Sequence, residues 1–256
     1  MELMFSTEAN ANSFQAYLDE YRLTYGRKKQ AVFMFSKQPD SQRFKQMFSK
    51  YIVQVIQKEW LRTTLKHTFY YEDECEMAAI LQIASDLCDH KRKELHTFVR
   101  LDEKDALLNQ AVDELMEYDG FLVFESFVRF RLRAYFEQIQ QILEISIDEY
   151  KLEQQYQDDI YFLQNELAKN QSKLKKVYLL LNNEPMLYDG NFLPISTDLS
   201  YQSHPTIVID QTIIAPLLSM APEQIIVLTS NRERPIIFTL TKIFEERLQL
   251  IELTNN

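Results

Sequence analysis

Three arginines lie at alternate positions in one predicted helix, and an arginine can pair with a carboxylate or bind an anion. Arg129, Arg131 and Arg133 lie in the sequence FVRFRLRAYF, whose pattern predicts a helix. Arg129 and Arg133 are four residues apart and therefore share a helical face. Glu125 lies four residues before them and Glu137 four residues after. The spacing predicts a ladder of i,i+4 ion pairs, each worth about 0.2–0.5 kcal/mol, so these two arginines are predicted to be structural.

Arg131 has different neighbours. On a continuous helix its neighbours four residues away are Phe127 and Tyr135, whose rings can stack on a guanidinium group. A buried arginine there needs a carboxylate or a bound anion, and Asp148, Glu149 or the acidic tract 72–74 could supply the carboxylate. A structural buried ion pair at Arg131 is the first interpretation, and a binding site formed by Arg131, Tyr135, Phe127 and Asp148 is the alternative.

The two cysteines do not predict a metal site. Cys75 and Cys88 are thirteen residues apart on one predicted helix, roughly 20 Å along its axis. Zinc ligands converge on one ion at about 2–2.3 Å, so this pair cannot share one if the helix is continuous. No glycine-rich phosphate loop or nucleophile elbow is found among the chain's three glycines. We predict no cofactor and no metal. The least favoured hypothesis is an enzyme whose active site contains Arg131, Tyr135 and Asp148.

Charge is distributed unevenly along the chain. Residues 21–66 hold eleven Lys or Arg and two Asp or Glu, a net charge of +9, whereas residues 67–169 carry −13. The basic segment predicts either a surface for nucleic acid or another anion, or internal pairing with the acidic helices. The residues predicted to form the basic surface are Arg43, Lys50, Lys58, Arg62 and Lys66.

The elements that would position these residues predict a mixed α+β fold in three parts. The pattern predicts a short βαβ unit at residues 1–38 and a helical region at residues 39–170. It predicts a small α/β domain with a partly parallel sheet at residues 171–256. Within the helical region, residues 121–169 read as helix with few breaks. In the last part, apolar runs at 175–181, 206–210, 223–228 and 247–253 predict strands.

The stretch 127–150 resembles the YtxC family, which is linked to sporulation in endospore-forming bacteria. The matching residues are Phe130, Arg131, Leu132, Tyr135, Asp148, Glu149 and Tyr150. The stretches LKKVYLLLNN, IAPLLSMAPEQIIVL and TLTKIFEERLQLI are similar to the C-terminal part of that family, so the resemblance covers about residues 118–253. The chain departs from the family pattern at Gln154 and Gln155, and it lacks cysteines near its end. The resemblance implies a sporulation role but no biochemical activity.

Together these observations predict a sporulation protein that acts through an unidentified protein partner and is more a regulatory factor than an enzyme. Nucleic-acid or anion binding by the segment 21–66 is the alternative. The chain shows neither a signal peptide nor a run of about 20 apolar residues, so we expect a cytoplasmic protein without a membrane partner.

Overall fold

The fold was examined in a computed structural model, which describes residues 1–28, 31–35, 41–99, 101–182, 184–195 and 210–253. The chain forms two compact units, Met1–Lys151 and Leu152–Asn256. The predicted mixed α+β class is confirmed. No described helix is both long enough and apolar enough to span a membrane.

The first unit contains short strands and longer helices. In chain order they are β1 (Glu2–Met4), α1 (Glu8–Glu20), β2 (Gly26–Lys28), β3 (Val32–Met34), α2 (Ser41–Tyr51), a π-helical turn (Ile52–Ile56), α3 (Gln57–His67), α4 (Glu74–Cys88), a 3-10 turn (Lys93–Phe98), α5 (Leu101–Glu117), β4 (Phe121–Val123) and α6 (Phe124–Phe130). The next helix, α7 (Arg133–Lys169), contains the boundary between the units.

Capping residues fix where two of these helices begin. Asp73 precedes α4, and its Oδ1 accepts hydrogen bonds from the backbone N–H groups of Cys75 and Glu76 at 2.8 and 2.9 Å. Thr7 precedes α1 and accepts a hydrogen bond from Asn10 at 3.2 Å. Both caps satisfy first-turn N–H groups that have no partner within the helix.

The sheet of the first unit joins the N-terminal residues to the middle of the chain. Its strand order is β2-β3-β1-β4, with β1 antiparallel to β3 and parallel to β4. The predicted N-terminal segment contains its strands and helix, but β1 also pairs with Phe121–Val123. The sequence placed these residues in the long helix, whereas the ladder to β1 satisfies their backbone groups as a strand. The sequence-based boundary at 38 therefore falls inside a compact unit.

The helix predicted from 121 to 169 with few breaks is interrupted at Arg131 and Leu132. The N–H groups of Arg131 and Leu132 both donate to the carbonyl of Phe127, at 2.8 and 3.3 Å, which ends α6. Leu132 is buried and α7 begins at the next residue. Because the helix stops here, the i,i+4 relations assumed across residue 131 do not hold.

The second unit is built on a longer sheet. Its elements are β5 (Lys176–Leu181), β6 (Met186–Asp189), α8 (Ile214–Met220), β7 (Gln224–Thr229), α9 (Pro235–Phe244), a 3-10 turn (Glu245–Arg247) and β8 (Leu248–Glu252). The order is β6-β5-β7-β8, with β5, β7 and β8 parallel and β6 antiparallel. The partly parallel sheet is as predicted. The strand predicted at 206–210 lies outside the described residues except for Asp210.

One face of this sheet carries the core of the second unit. Val177, Leu179 and Leu181 alternate along β5 and are buried, and in register with them lie Ile225 and Val227 of β7. The same apolar cluster takes in residues of α8, α9 and the last turns of α7. The sequence-based boundary at 170 differs from the structural one, because α7 still supplies buried residues such as Leu163 beyond residue 151.

Candidate interaction groove

The first unit has an open apolar groove of about 540 Å³. Four segments of the chain line it: the start of α1, the end of the π-helical turn with α3, helix α6, and the first turns of α7. Ligand sites commonly measure about 300–1,000 Å³ and have apolar walls with a few polar groups. We refer to this feature, lined by Asn10, Ile56, Glu59, Trp60, Thr63, Phe124, Glu125, Val128, Arg129, Arg133, Phe136, Glu137 and Gln140, as the interaction groove.

Helical spacing brings the floor of the interaction groove together. Ile56, Trp60 and Thr63 follow one another at steps of four and three residues, so they lie on one face. Phe136 of α7 meets Trp60 with ring centroids 5.1 Å apart. Val128 of α6 is half-buried beside them. The apolar floor therefore depends on three helices, with α3 distant in sequence from α6 and α7.

A π-helical turn immediately precedes the α3 wall. Residues Ile52–Ile56 are wound as a π-helix, and the N–H of Gln57 donates back to Ile52 at the point where α3 begins. Such turns are rare and frequently occur at functional sites. The turn brings Ile56 to the groove while Gln57, the next residue, points into the core and is buried.

The charged side chains on the rim are only partly paired. Arg133 and Glu137 form an i,i+4 ion pair at 2.9 Å. Within the described part of the chain, neither Glu59 on α3 nor Arg129 on α6 forms an ion pair. The groove thus has an uncompensated acid on one wall and an uncompensated base on the other.

Glu125 adds a second acid. Its Oε1 accepts a hydrogen bond from the backbone N–H of Ser6 at 2.9 Å. Its Oε2 is buried and accepts none from the described residues. The predicted ladder is therefore reduced to its Arg133–Glu137 rung, because the interruption at residue 131 separates the two arginines and Glu125 turns to Ser6.

The negative charges of Glu59 and Glu125 both affect the pKa of Tyr51. Burial raises the pKa of Tyr51 to about 12, and the negative charges of Glu59 and Glu125 contribute in the same direction. The hydroxyl donates to the carbonyl of Asn10 at 3.4 Å. Glu59 and Glu125 therefore both contribute negative charge to the groove that they line.

The four residues predicted to form a site around Arg131 are not brought together. The side chain of Arg131 is 64% exposed and pairs with Glu114 at 3.1 Å, a partner that the sequence did not indicate. Phe127 is buried against Phe48, and Asp148 is exposed.

Tyr135 belongs instead to a buried polar group. Its hydroxyl donates to Oε1 of Gln57, and Nε2 of Gln57 donates to Sγ of Cys88 at 3.8 Å. Burial raises the pKa of Tyr135 and of the Cys88 thiol, so both stay protonated near neutral pH. Cys75 is exposed, and the described residues contain no cluster of His, Cys, Asp and Glu that could hold a metal ion.

The predicted basic surface is divided. Lys50 pairs with Glu20 at 2.7 Å, and Arg62 pairs with Glu74. Arg43 is exposed and has a partner of its own. Lys58 and Lys66 are exposed and form no ion pair with any described residue. Some of the segment's charge is therefore neutralised within the fold.

Sequence comparison agrees with the resemblance and extends it. The model of the YtxC-like family matches residues 42–249. The chain belongs to the YtxC-like family. It is 28% identical over 220 residues to the "Uncharacterized protein YtxC" of Bacillus subtilis (strain 168), covering 83% of this chain and 78% of that protein. No solved structure matches the chain significantly.

The family match begins before the region in which the sequence analysis saw a resemblance. It includes α2, the π-helical turn and α3, and hence the α3 wall of the groove. Sequence reasoning missed the groove residues Ile56, Trp60, Val128 and Phe136. A usable signal was Trp60, the chain's only tryptophan, which lies at helical spacing from other apolar residues.

Proposed function

We propose that this YtxC-like protein is a non-enzymatic, cytoplasmic factor that acts in sporulation by docking a partner protein in the interaction groove. The observation that carries the proposal is the groove itself. Its apolar floor is formed by half-buried Trp60 and Val128 and by Phe136, which is 7% exposed. Exposed apolar surfaces of this kind, rimmed by polar residues, mark interaction sites.

The composition of the groove favours binding over chemistry. Its titratable groups are carboxylates and guanidinium groups, and the one ion pair among them, Arg133–Glu137, lies on the rim. The polar group at Tyr135 and Gln57 is buried, with both side chains committed to each other. Aromatic residues and arginine are enriched in protein interfaces, and the groove has both.

The proposed sporulation role rests on the family. Several of the residues that carry the resemblance, among them Arg131, Leu132 and Tyr135, lie in α7 or directly before it. The same helix supplies Arg133 and Phe136 to the groove. A defect in spore formation caused by altering the groove would therefore support both the sporulation role and docking in the groove.

Nucleic-acid binding is the second candidate, because Lys58 and Lys66 are exposed without an acidic partner in the described structure. Phosphate contacts would make such binding weaken steeply with salt. A gel shift in low salt that is lost in Lys58→Glu and Lys66→Glu variants would favour this candidate. Absence of a retarded species in low salt would remove it.

The test of the main proposal is genetic. Deleting the gene in its own host is expected to lower the count of heat-resistant spores, and the wild-type gene should restore it. Thr63→Arg puts a large charged side chain on an exposed groove position and should fail to restore the count. Gln46→Arg is the matched control, since Gln46 is exposed on α2 and does not line the groove.

Two outcomes would contradict the proposal in different ways. An unchanged spore count after deletion would contradict the sporulation role. Full restoration by Thr63→Arg, with the protein present at wild-type level, would contradict the role of the interaction groove. Loss of function in Gln46→Arg as well would show that an added charge is harmful outside the groove too, and it would equally remove the support for the groove.

A further inference from the structure

We propose that the occupant of the interaction groove is an amphipathic α-helix of the partner protein, with a basic residue facing Glu59 and Glu125 and an acidic residue facing Arg129. This inference rests on the proposed function and deepens it by assigning the class of partner. It follows from the length of the groove, from the apolar character of its floor and from its charges.

The length of the groove matches two turns of helix. The α3 wall runs from Ile56 to Thr63 and the α7 wall from Arg133 to Gln140. Seven residues of helix rise about 10 Å, so each wall offers about two turns of continuous surface. A helix bound in a groove uses apolar side chains at positions i, i+3 or i+4, and i+7, which cover this length.

The floor supplies receptors for such side chains. The rings of Trp60 and Phe136 are tilted by 36° at 5.1 Å between centroids, and Val128 adds an aliphatic side chain. Rigid aromatic rings give large contact areas at low cost in conformational entropy. An extended peptide would instead use backbone hydrogen bonds from a strand edge, and the groove walls are helical.

The charged residues of the groove favour one orientation of the bound helix. Glu59 of α3 and Glu125 of α6 both line the groove, and their negative charges both raise the pKa of Tyr51. Oε2 of Glu125 is buried without a donor among the described residues. The negative charge of Glu125 is therefore left uncompensated on that side, and a lysine or arginine of the occupant would complement the charges of Glu59 and Glu125.

Arg129 favours an acidic residue on the occupant. It lies one helical turn after Glu125 and has no carboxylate partner within the described structure. Its guanidinium group is held over the ring of Phe130 at 5.6 Å. An acidic residue on the occupant, one turn from the basic one, would satisfy it. Complementary charges at the rim of an interface chiefly set specificity and orientation.

The experiment uses the full chain and begins with selection. A display library of random 18-residue peptides is selected on the protein and counter-selected on the Val128→Arg variant, whose floor is blocked. We expect enrichment of helix-forming sequences with apolar residues at i, i+4 and i+7, a base on one flank and an acid one turn away. Enrichment of proline-rich or extended sequences, or of none, overturns the helical class.

A fluorescence titration then tests polarity. Trp60 is the only tryptophan of the chain and lines the groove, so its emission reports occupancy directly. The best selected peptide is compared with a twin in which acids and bases are exchanged. We expect the twin to bind about tenfold more weakly to the wild-type protein. The double variant Glu59→Lys with Arg129→Glu should reverse that preference.

The outcomes separate this inference from the proposed function. Equal binding of both peptides by both proteins overturns the charge assignment. If no peptide changes Trp60 emission while Thr63→Arg still abolishes spore formation, the helical partner is overturned and the docking function stands. A change in Trp60 emission with protein concentration, without peptide, would identify a second copy of this chain as the occupant and overturn the proposal.

Discussion

The two units are built around different kinds of core. Among the described residues, eleven buried aromatic side chains belong to the core of the first unit and one, Phe244, to that of the second. The strands of the first unit are three residues long, whereas β5 and β7 of the second have six. The first unit therefore relies on interlocking rings, and the second on a hydrogen-bonded ladder with aliphatic side chains alternating along it.

This difference extends to the surface. The aromatic unit has an apolar groove whose floor includes Trp60 and Phe136. The aliphatic unit has a polar crevice at the carboxyl ends of β5 and β7, where Arg234 donates to the carbonyls of Leu181 and Asn182 at 3.0 Å each. This contrast places the proposed interaction in the first unit.

The strongest test of the aromatic core is Phe14→Ala. Phe14 is fully buried and contacts five other rings, those of Phe5, Phe33, Phe48, Tyr51 and Phe124. We expect the free energy of unfolding to fall by about 3–5 kcal/mol, because the surrounding rings cannot collapse into the cavity. Urea unfolding followed by Trp60 fluorescence measures it.

The matched control for this test is Phe238→Ala in α9, a phenylalanine 62% exposed to solvent. It should change stability by less than about 0.5 kcal/mol, as surface substitutions usually do. A loss below about 1 kcal/mol in Phe14→Ala would mean that the ring cluster is not the main support of the first unit.

The corresponding test of the aliphatic unit is Leu179→Ala in β5. Leu179 is fully buried and its strand pairs with both β6 and β7. We expect a loss of about 2–4 kcal/mol and faster hydrogen exchange of the amides of β5 and β7, measured by mass spectrometry. Leu180→Ala, on the half-buried face of the same strand, should accelerate exchange much less. Equal effects would contradict the assignment of the core to one face.

How far the sequence predicts each unit follows from the same contrast. The strand at 176–181 can be predicted because its apolar residues form a contiguous run, KVYLLL. The sheet of the second unit is built from such runs. Strand β4 could not be predicted from local sequence, because Phe121–Val123 becomes a strand through pairing with Glu2–Met4, more than a hundred residues away. Tertiary pairing of this kind overrides local helical pattern.

The candidate site was harder to predict for a related reason. The ladder Glu125–Arg129–Arg133–Glu137 assumed an unbroken helix with two ion pairs, of which the described structure keeps Arg133–Glu137. Helix α6 ends at Phe130, and Glu125 accepts from the N–H of Ser6 instead of pairing with Arg129. The groove needs side chains from α1, α3, α6 and α7 to converge. Periodicity identifies a helical face but not the helix that faces it, so Trp60 and Phe136 could not be paired from the sequence.

Polar groups inside the aromatic core offer a smaller test of the comparison. Tyr135→Phe removes the hydroxyl that donates to Oε1 of buried Gln57 and leaves that oxygen without its donor. We expect a loss of about 1–3 kcal/mol in urea unfolding monitored by Trp60. Tyr178→Phe in β5 is the control, because Tyr178 is half-buried and should lose almost nothing. No loss in Tyr135→Phe would mean that water replaces the hydroxyl and that the first core is less closed than its rings suggest.

The smallest expected effect concerns Arg131, the residue that the sequence singled out. Its pair with Glu114 is exposed, at 64% for Arg131 and 42% for Glu114, and such pairs contribute about 0–1 kcal/mol. Arg131→Ala should therefore lower stability by no more than about 0.5 kcal/mol, and a double-mutant cycle with Glu114→Ala should give a small coupling energy that shrinks in high salt. A coupling above about 1.5 kcal/mol, insensitive to salt, would contradict the exposed pair and return Arg131 to the buried role that its aromatic neighbours suggested. A small coupling, with spore formation also unaffected by Arg131→Ala, would instead place this arginine outside both the core and the interaction groove.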